Sequence, residues 1–353
     1  MTAFADVLEQ LEAKRLLDAA LADGQAHAFL FHGPRGVGKR TAARAFAGVL
    51  LGDARRVDAG THPDLRVIEA LGEMIRIDEI RALHHDLHMR PFEADRRVYL
   101  LLDAHLLNDE AAAALLKDLE EPPEYATLVL VADELGPLPE TIRSRCQLVP
   151  FRRLSRAAVE GWVVEQAPDL PFDEARLLAR VAAGRLDRAA RLLDPDAREQ
   201  RAALLRVARE AYLAPEFDPV AAAGVVGAST RARGEAARTA ELELVDGLDL
   251  PPKEAEQRVK RAEFGAGKEE LLASLEDLAG WYRDLVVVAA GTDAPVVHAD
   301  RIAELREDAQ GREQGAEEAA ASVRQAWREA EEFNLNASLL LEALFVRIHR
   351  AFV

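Results

Sequence analysis

Residues 27–41, HAFLFHGPRGVGKRT, run from an apolar strand through a glycine-rich turn into a helix. The pattern G-x-x-x-x-G-K-[Ser/Thr] cradles phosphates. Backbone N–H groups at a helix N-terminus point at the anion, the lysine reaches the outer phosphates, and the hydroxyl residue holds Mg²⁺. Gly33, Gly36, Gly38 and Lys39 fit, whereas the hydroxyl position carries Arg40 and Thr41 comes one residue late. One residue is about 100° of helical rotation, so Thr41 aims away from the metal position. These residues predict a phosphate cradle with a degraded metal grip, and they leave ATP or ADP binding open.

Other chemistry-bearing residues lie downstream. Ser144-Arg145-Cys146 follows a short polar stretch, with Arg143 beside it. From spacing alone Arg145 reads as a surface ion pair. Cys146 is the single cysteine, which excludes an internal disulfide and a cysteine-built zinc site, and it reads as a small buried residue. Among the histidines, His62 stands alone, and of His84, His85 and His88 only His84 and His88 share a helix face. That is too few ligands for a structural zinc, so no metal is expected.

The elements that must hold these residues follow from the hydrophobic pattern. Residues 4–23 predict an amphipathic helix or helix pair, 28–31 a strand, and 39–51 an Ala-rich helix stopped by Gly52. Residues 53–64 read as polar turns, 65–68 as a strand, 74–77 as a second extended stretch, and 78–89 as a helix closed by Pro91. RRVYLLLDAHLL, 96–107, carries a continuous apolar run ending in an acid, the signature of a parallel strand buried on both faces. Helix 108–121 stops at Pro122 and Pro123, and strand 127–132 precedes a Gly/Pro turn. Alternating strands and helices imply a parallel sheet with right-handed crossovers. From about 155 only helical patterns remain, with breaks expected at 215–234, 247–252 and 291–295 and a strongly apolar last helix.

The chain of 353 residues is 49% hydrophobic and 30% charged, a globular balance, and its net charge of −17 argues against broad nucleic-acid coating. Without a signal-peptide pattern or a long apolar run, a cytoplasmic protein is expected.

HAFLFHGPRGVGKRTAA, HPDL, RRVYLLLDAHLLNDEAAAALLKDLEEPP and LPETIRSRCQ, in this order and spacing, resemble the AAA+ clamp-loader subunits of bacterial DNA polymerase III. The resemblance is close over residues 4–193 and weaker beyond, where NLNASLLLEALF looks like the family's last collar helix. It implies an α/β AAA+ P-loop core over 1–153, a helical lid over 154–195 and an all-α collar over 196–353. In active members the buried strand ends in Asp-Glu, which hold Mg²⁺ and polarise water. Aligned through AHLL, this chain has Leu102 and Asp103 there; shifted by one, Asp103 and Ala104. Either register breaks catalysis. The sensor pair falls on Ala132 and Asp133, and the lid carries Asp187 before Arg188, where active members place the arginine first. Many relatives also carry a four-cysteine zinc module, absent from residues 52–61.

What the resemblance keeps is Arg145, which in the family reaches across the subunit boundary onto a neighbour's ATP, with Arg143 as a supporting candidate. The implied function is a non-catalytic stator without intrinsic ATPase activity. Its implied partners are the gamma/tau ATPase subunits, the delta subunit, the sliding clamp and, through the assembly, primed DNA. Two alternatives remain: an active gamma/tau-like motor, and a nucleotide-gated interaction module outside replication.

Overall fold

The computed structural model describes residues 3–24, 26–70, 74–247, 252–292, 294–332 and 336–353. They pack as two compact units, one formed by residues 1–170 with 182–190, the other by 171–181 with 191–353.

The first unit is built on five parallel strands in the order β2-β3-β4-β1-β5: β1 (Ala28–His32), β2 (Leu65–Ile68), β3 (Arg97–Leu101), β4 (Ala126–Ala132) and β5 (Gln147–Pro150). Its helices are α1 (Leu11–Asp23), α2 (Lys39–Leu51), α3 (Ala54–Asp58), α4 (Ile77–Leu87), α5 (Asp109–Glu120), α6 (Glu140–Arg143) and α7 (Arg156–Gln166). The period-2 alternation of a strand divides the sheet's side chains between two cores. Leu30, Tyr99, Leu101, Leu128 and Leu130 pack with Leu83 of α4 and Leu115 of α5, while Phe29, Phe31, Val98, Leu100 and Val129 pack with Ala43 and Phe46 of α2. Every residue of β4 is buried, as a central parallel strand covered on both faces requires.

Local chemistry sets the helix ends. Asn108 caps α5 by accepting the Ala111 N–H at 2.8 Å, and Ser155 caps α7 by accepting that of Ala158 at 3.1 Å. Gly24 and Gly52 end α1 and α2 in the left-handed region. Two expectations are corrected here. Helix α1 begins only at Leu11, with Phe4 and Val7 buried in the turns before it, and residues 53–64 contain α3, started by the Asp53 carboxylate on the Arg56 N–H.

Helices α8 (Phe172–Ala182), α9 (Leu186–Leu193), α10 (Pro195–Leu213), α11 (Pro219–Asp246), α12 (Pro252–Ala289), α13 (Ile302–Asp308), α14 (Glu313–Glu332) and α15 (Ala337–Phe352) make up the rest. Within the second unit the core gathers Leu275, Trp281, Tyr282 and Leu285 of α12 with Leu344, Phe345 and Ile348 of α15. The break expected over 215–234 is not there: the chain turns at 214–218 and α11 then runs unbroken for 28 residues. Asp218 accepts the N–H groups of Val220 and Ala221, Pro219 opens the helix, and Gly234 allows close packing, since a Cβ there would meet the Glu263 carbonyl oxygen at 3.0 Å. The break at 291–295 does occur, after α12. Most of the one at 247–252 lies outside the described residues. No helix among the described residues is long and apolar enough to cross a membrane.

Candidate functional site

The C-terminal ends of β1, β3 and β4 lie side by side, and the loops leaving them carry the chemistry, as expected for a parallel sheet. From β1 the chain enters the glycine turn at Gly33, with φ of 140°, passes Gly36 at 70° and Gly38 at 97°, and starts α2 at Lys39. Lys39 is buried, and its Nζ donates to the carbonyls of Gly33 and Pro34, both at 2.6 Å, and meets Asp133 Oδ1 at 2.8 Å. Burial pulls the ammonium below its ordinary pKa while Asp133 opposes it. Burial would raise Asp133, but Lys39 and the neighbouring His105 and Arg35 hold its carboxyl below the usual range.

Arg40, at the position expected of a metal-binding hydroxyl, donates to Asp103 Oδ2 at 2.5 Å and lies 4.0 Å from Glu69. Thr41 is exposed. Strand β3 ends at Leu101. Leu102 is buried in the core beneath α2, and Asp103 turns out of the strand in the left-handed region with φ of 57°. The two registers weighed from sequence thus share one physical outcome: an apolar side chain at 102 and a carboxylate at 103 engaged by an arginine. Ala132 closes β4 in the core, and Asp133 follows it.

His105 was not singled out from sequence, although a histidine two residues past a strand-ending acid was the available signal. Its Nδ1 faces the Asp133 N–H at 3.4 Å, and burial holds the imidazole below its ordinary pKa. One ligand atom each from Asp103, His105 and Asp133 lie within 4.8 Å of one another. Both carboxylates in this group already face cations, Arg40 and Lys39.

Asp187, at the start of α9, sits directly on the glycine turn. A Cβ built on Gly36 would lie 1.7 Å from Asp187 Oδ1, and the Leu186 N–H donates to the Gly36 carbonyl at 2.8 Å. The Asp187 carboxylate is held from the other side by Arg185, at 3.1 and 2.7 Å, with Arg35 at 3.9 Å. Burial would raise its pKa, but Arg185, the Arg188 N–H and Arg35 hold it below the usual carboxylate range.

Arg145 lies between α6 and β5, apart from this cluster in its bonding. Its Nη1 donates to the Thr141 carbonyl at 2.9 Å and its Nη2 to Glu120 Oε1 at 2.5 Å, and the residue is exposed. Cys146 is buried beside it, its thiol pushed up to about 12 by burial. His84 pairs with Asp118 at 2.6 Å, and its ring stacks edge-on against that of His88, the one face the histidines share. His62 is buried, and its Nδ1 accepts the Asp64 N–H. Asp64, not singled out from sequence, is a structural pin. Its buried carboxylate accepts the N–H groups of Phe92, Glu93 and Ala94 at 2.6, 2.9 and 2.9 Å.

A nucleotide's phosphates do not fit the cradle in this arrangement. The three hydrogens of the Lys39 ammonium have three acceptors, and a carboxylate covers the turn at Gly36.

Residues 9–155 match the family described as DNA polymerase III, delta subunit. The delta′ subunit of Bacillus subtilis DNA polymerase III is 34% identical over 180 residues, 48% of this chain and 54% of that protein. The delta′ subunit of Pseudomonas aeruginosa is 35% identical over 192 residues, 50% of this chain and 58% of that one. The tau subunit of Bacillus subtilis is 34% identical over 209 residues, covering 54% of this chain and 37% of its own length. The chain thus spans little more than half the length of these delta′ relatives. Among solved structures, a DNA polymerase III gamma subunit-related protein of Thermotoga maritima aligns over 96% of this chain and 99% of its own, at 17% identity and a TM-score of 0.40. Over residues 9–155, and over about half of its length against these relatives, the chain is similar to the subunits of the DNA polymerase III clamp loader.

Proposed function

We propose that this chain is a delta′-type stator: a non-catalytic subunit of the bacterial DNA polymerase III clamp loader that gives Arg145 to the ATP site of a neighbouring gamma/tau subunit. The observation that carries the reading is the fate of the catalytic positions. Leu102 is buried in the core where a metal ligand is expected, and Asp103 is tied to Arg40. Without a metal-holding hydroxyl or a free acid pair, the chain's own site lacks the groups that position Mg²⁺ and water.

Arg145 keeps what a finger needs. A guanidinium is planar, always charged and bidentate, and this one is exposed and held by a carboxylate and a carbonyl that a phosphate can replace. Its partners in the assembly would be the gamma/tau subunits, the delta subunit, the sliding clamp and primed DNA, with residues 196–353 as the collar.

Mg-ATP turnover in a loader reconstituted with clamp and primed DNA tests this. The isolated chain should be silent, and Arg145→Ala should lower turnover at the neighbouring site by about 10³ or more. An Arg145→Ala loader as active as wild type would reduce Arg145 to a surface charge.

The tau relative favours a second reading, an active gamma/tau-like motor, because its identity equals that of the delta′ relative from the same organism. Turnover by the isolated chain would support that reading against the stator. The interaction module outside replication predicts instead no stable association with the gamma/tau subunits.

A further inference from the structure

We infer that Asp133 and Asp187 are built-in anions that take the place of phosphate at the glycine turn and keep this cradle closed to nucleotides until their charge is removed. The inference rests on reading residues 33–41 as a phosphate cradle, and it adds a cause for its silence beyond the missing metal ligands.

A P-loop binds anions because it concentrates unspent N–H donors and positive charge at one helix terminus. Here the charge is already matched. Lys39, Arg40, Arg35 and Arg185 face Asp133, Asp103, Glu69 and Asp187, so these eight groups sum to neutrality before any ligand arrives. The lysine is also saturated by its acceptors. Two are the Gly33 and Pro34 carbonyls of the turn itself, and the third is Asp133 Oδ1 at 2.8 Å, an anion where a phosphate oxygen would compete. At the other end of the turn, Asp187 packs so closely on Gly36 that a Cβ would lie 1.7 Å from its Oδ1. The Leu186 N–H on the Gly36 carbonyl fixes the carboxylate there. A triphosphate would have to displace both carboxylates or lie against them, and like charges at such range disfavour binding strongly.

The inference separates charge from shape. Asparagine has nearly the volume of aspartate and can still accept from Lys39 and Arg185, but it carries no charge. Titration of the full chain with Mg-ADP, followed calorimetrically, should give no binding for wild type up to about 1 mM. Asp133→Asn/Asp187→Asn should bind, with affinity raised by about 100-fold or more, as removal of two like charges predicts. Lys39→Ala on that background should abolish the gain. A wild-type chain that binds Mg-ADP at micromolar concentration, or a folded double variant as silent as wild type, would overturn the inference.

Should the double variant not fold, the wild-type chain decides. A closed cradle leaves its melting temperature unmoved by about 10 mM pyrophosphate, whereas an open one raises it by several degrees. Neither measurement involves Arg145 or a partner subunit, so the inference and the stator reading can fail separately.

Discussion

Lys39 opens the helix that follows β1 and Asp133 is the first residue after β4, and these two strands are hydrogen-bonded neighbours in the sheet, so the side chains meet at 2.8 Å. Register explains the meeting: His32 pairs with Ala132, so the turn after one strand and the residue after the other emerge at the same level. Asp133→Leu leaves a buried ammonium without its anion and should cost roughly 2–4 kcal/mol in urea unfolding at neutral pH. Adding Lys39→Met should restore most of that loss, since an apolar pair of similar volume removes the desolvation penalty. A double variant no more stable than Asp133→Leu would mean that the pair is incidental to folding.

The same pair fixes a pH dependence. Asp133 ionises more readily folded than unfolded, so its contribution is full above about pH 4, the ordinary aspartate range. It is lost as the pH falls through the depressed native value. Urea midpoints of wild type and Asp133→Asn should therefore differ at pH 7 and converge as the pH falls below the ordinary aspartate range and through the depressed native value. Curves that stay equally separated into acid would assign the difference to packing rather than charge.

Gly36 and Asp187 are coupled sterically. Gly36→Ala meets two costs: a left-handed backbone at φ of 70°, about 1 kcal/mol for an L-residue, and the clash with Asp187. In a double-mutant cycle with Asp187→Ala, the second cost should vanish and the first remain. The coupling should exceed about 1 kcal/mol, and additive losses would show that the carboxylate can move aside freely.

How much of this was legible in the sequence depends on whether a residue's role is local. The strand, turn and helix of residues 28–51 follow from a continuous apolar run, positive-φ glycines and an Ala-rich helix, all short-range signals. Leu102 and Arg40 were readable as departures because a motif defines what their positions must hold. Asp133 and Asp187 read from sequence only as departures from the sensor and lid patterns, and their engagement with Lys39 and Gly36 depends on the sheet register and the turn at Gly184 to bring distant segments together. The helix α11 was hidden by glycines. Gly234 reads as a breaker in sequence, yet it serves a close approach to Glu263 that only packing reveals.

Asp64 should be among the least replaceable residues of the first unit. Its carboxylate is buried and accepts three backbone N–H groups, which, with Arg97, outweigh burial and hold its pKa below the usual range. Asp64→Ala strands three donors and should cost about 3–5 kcal/mol. Hydrogen exchange at the Phe92, Glu93 and Ala94 amides should accelerate more than at β4. Unchanged exchange there would show that the loop holds its shape without the pin.

The last helix separates folding from assembly. Of its apolar residues, Leu340, Leu341, Leu344, Phe345 and Ile348 are buried in the chain's own core, while Leu339 is 63% exposed. Most of the apolar pattern of this helix is therefore consumed within the second unit. Phe345→Ala should cost about 3–5 kcal/mol by leaving a cavity beside the Phe217 ring in the core of the second unit, whereas Leu339→Ala should change the stability of the isolated chain by no more than about 0.5 kcal/mol. If residues 196–353 act as a collar, Leu339→Ala should weaken association with gamma/tau subunits in analytical ultracentrifugation without any loss in unfolding free energy. Unaltered association would move the collar contact away from this face of α15.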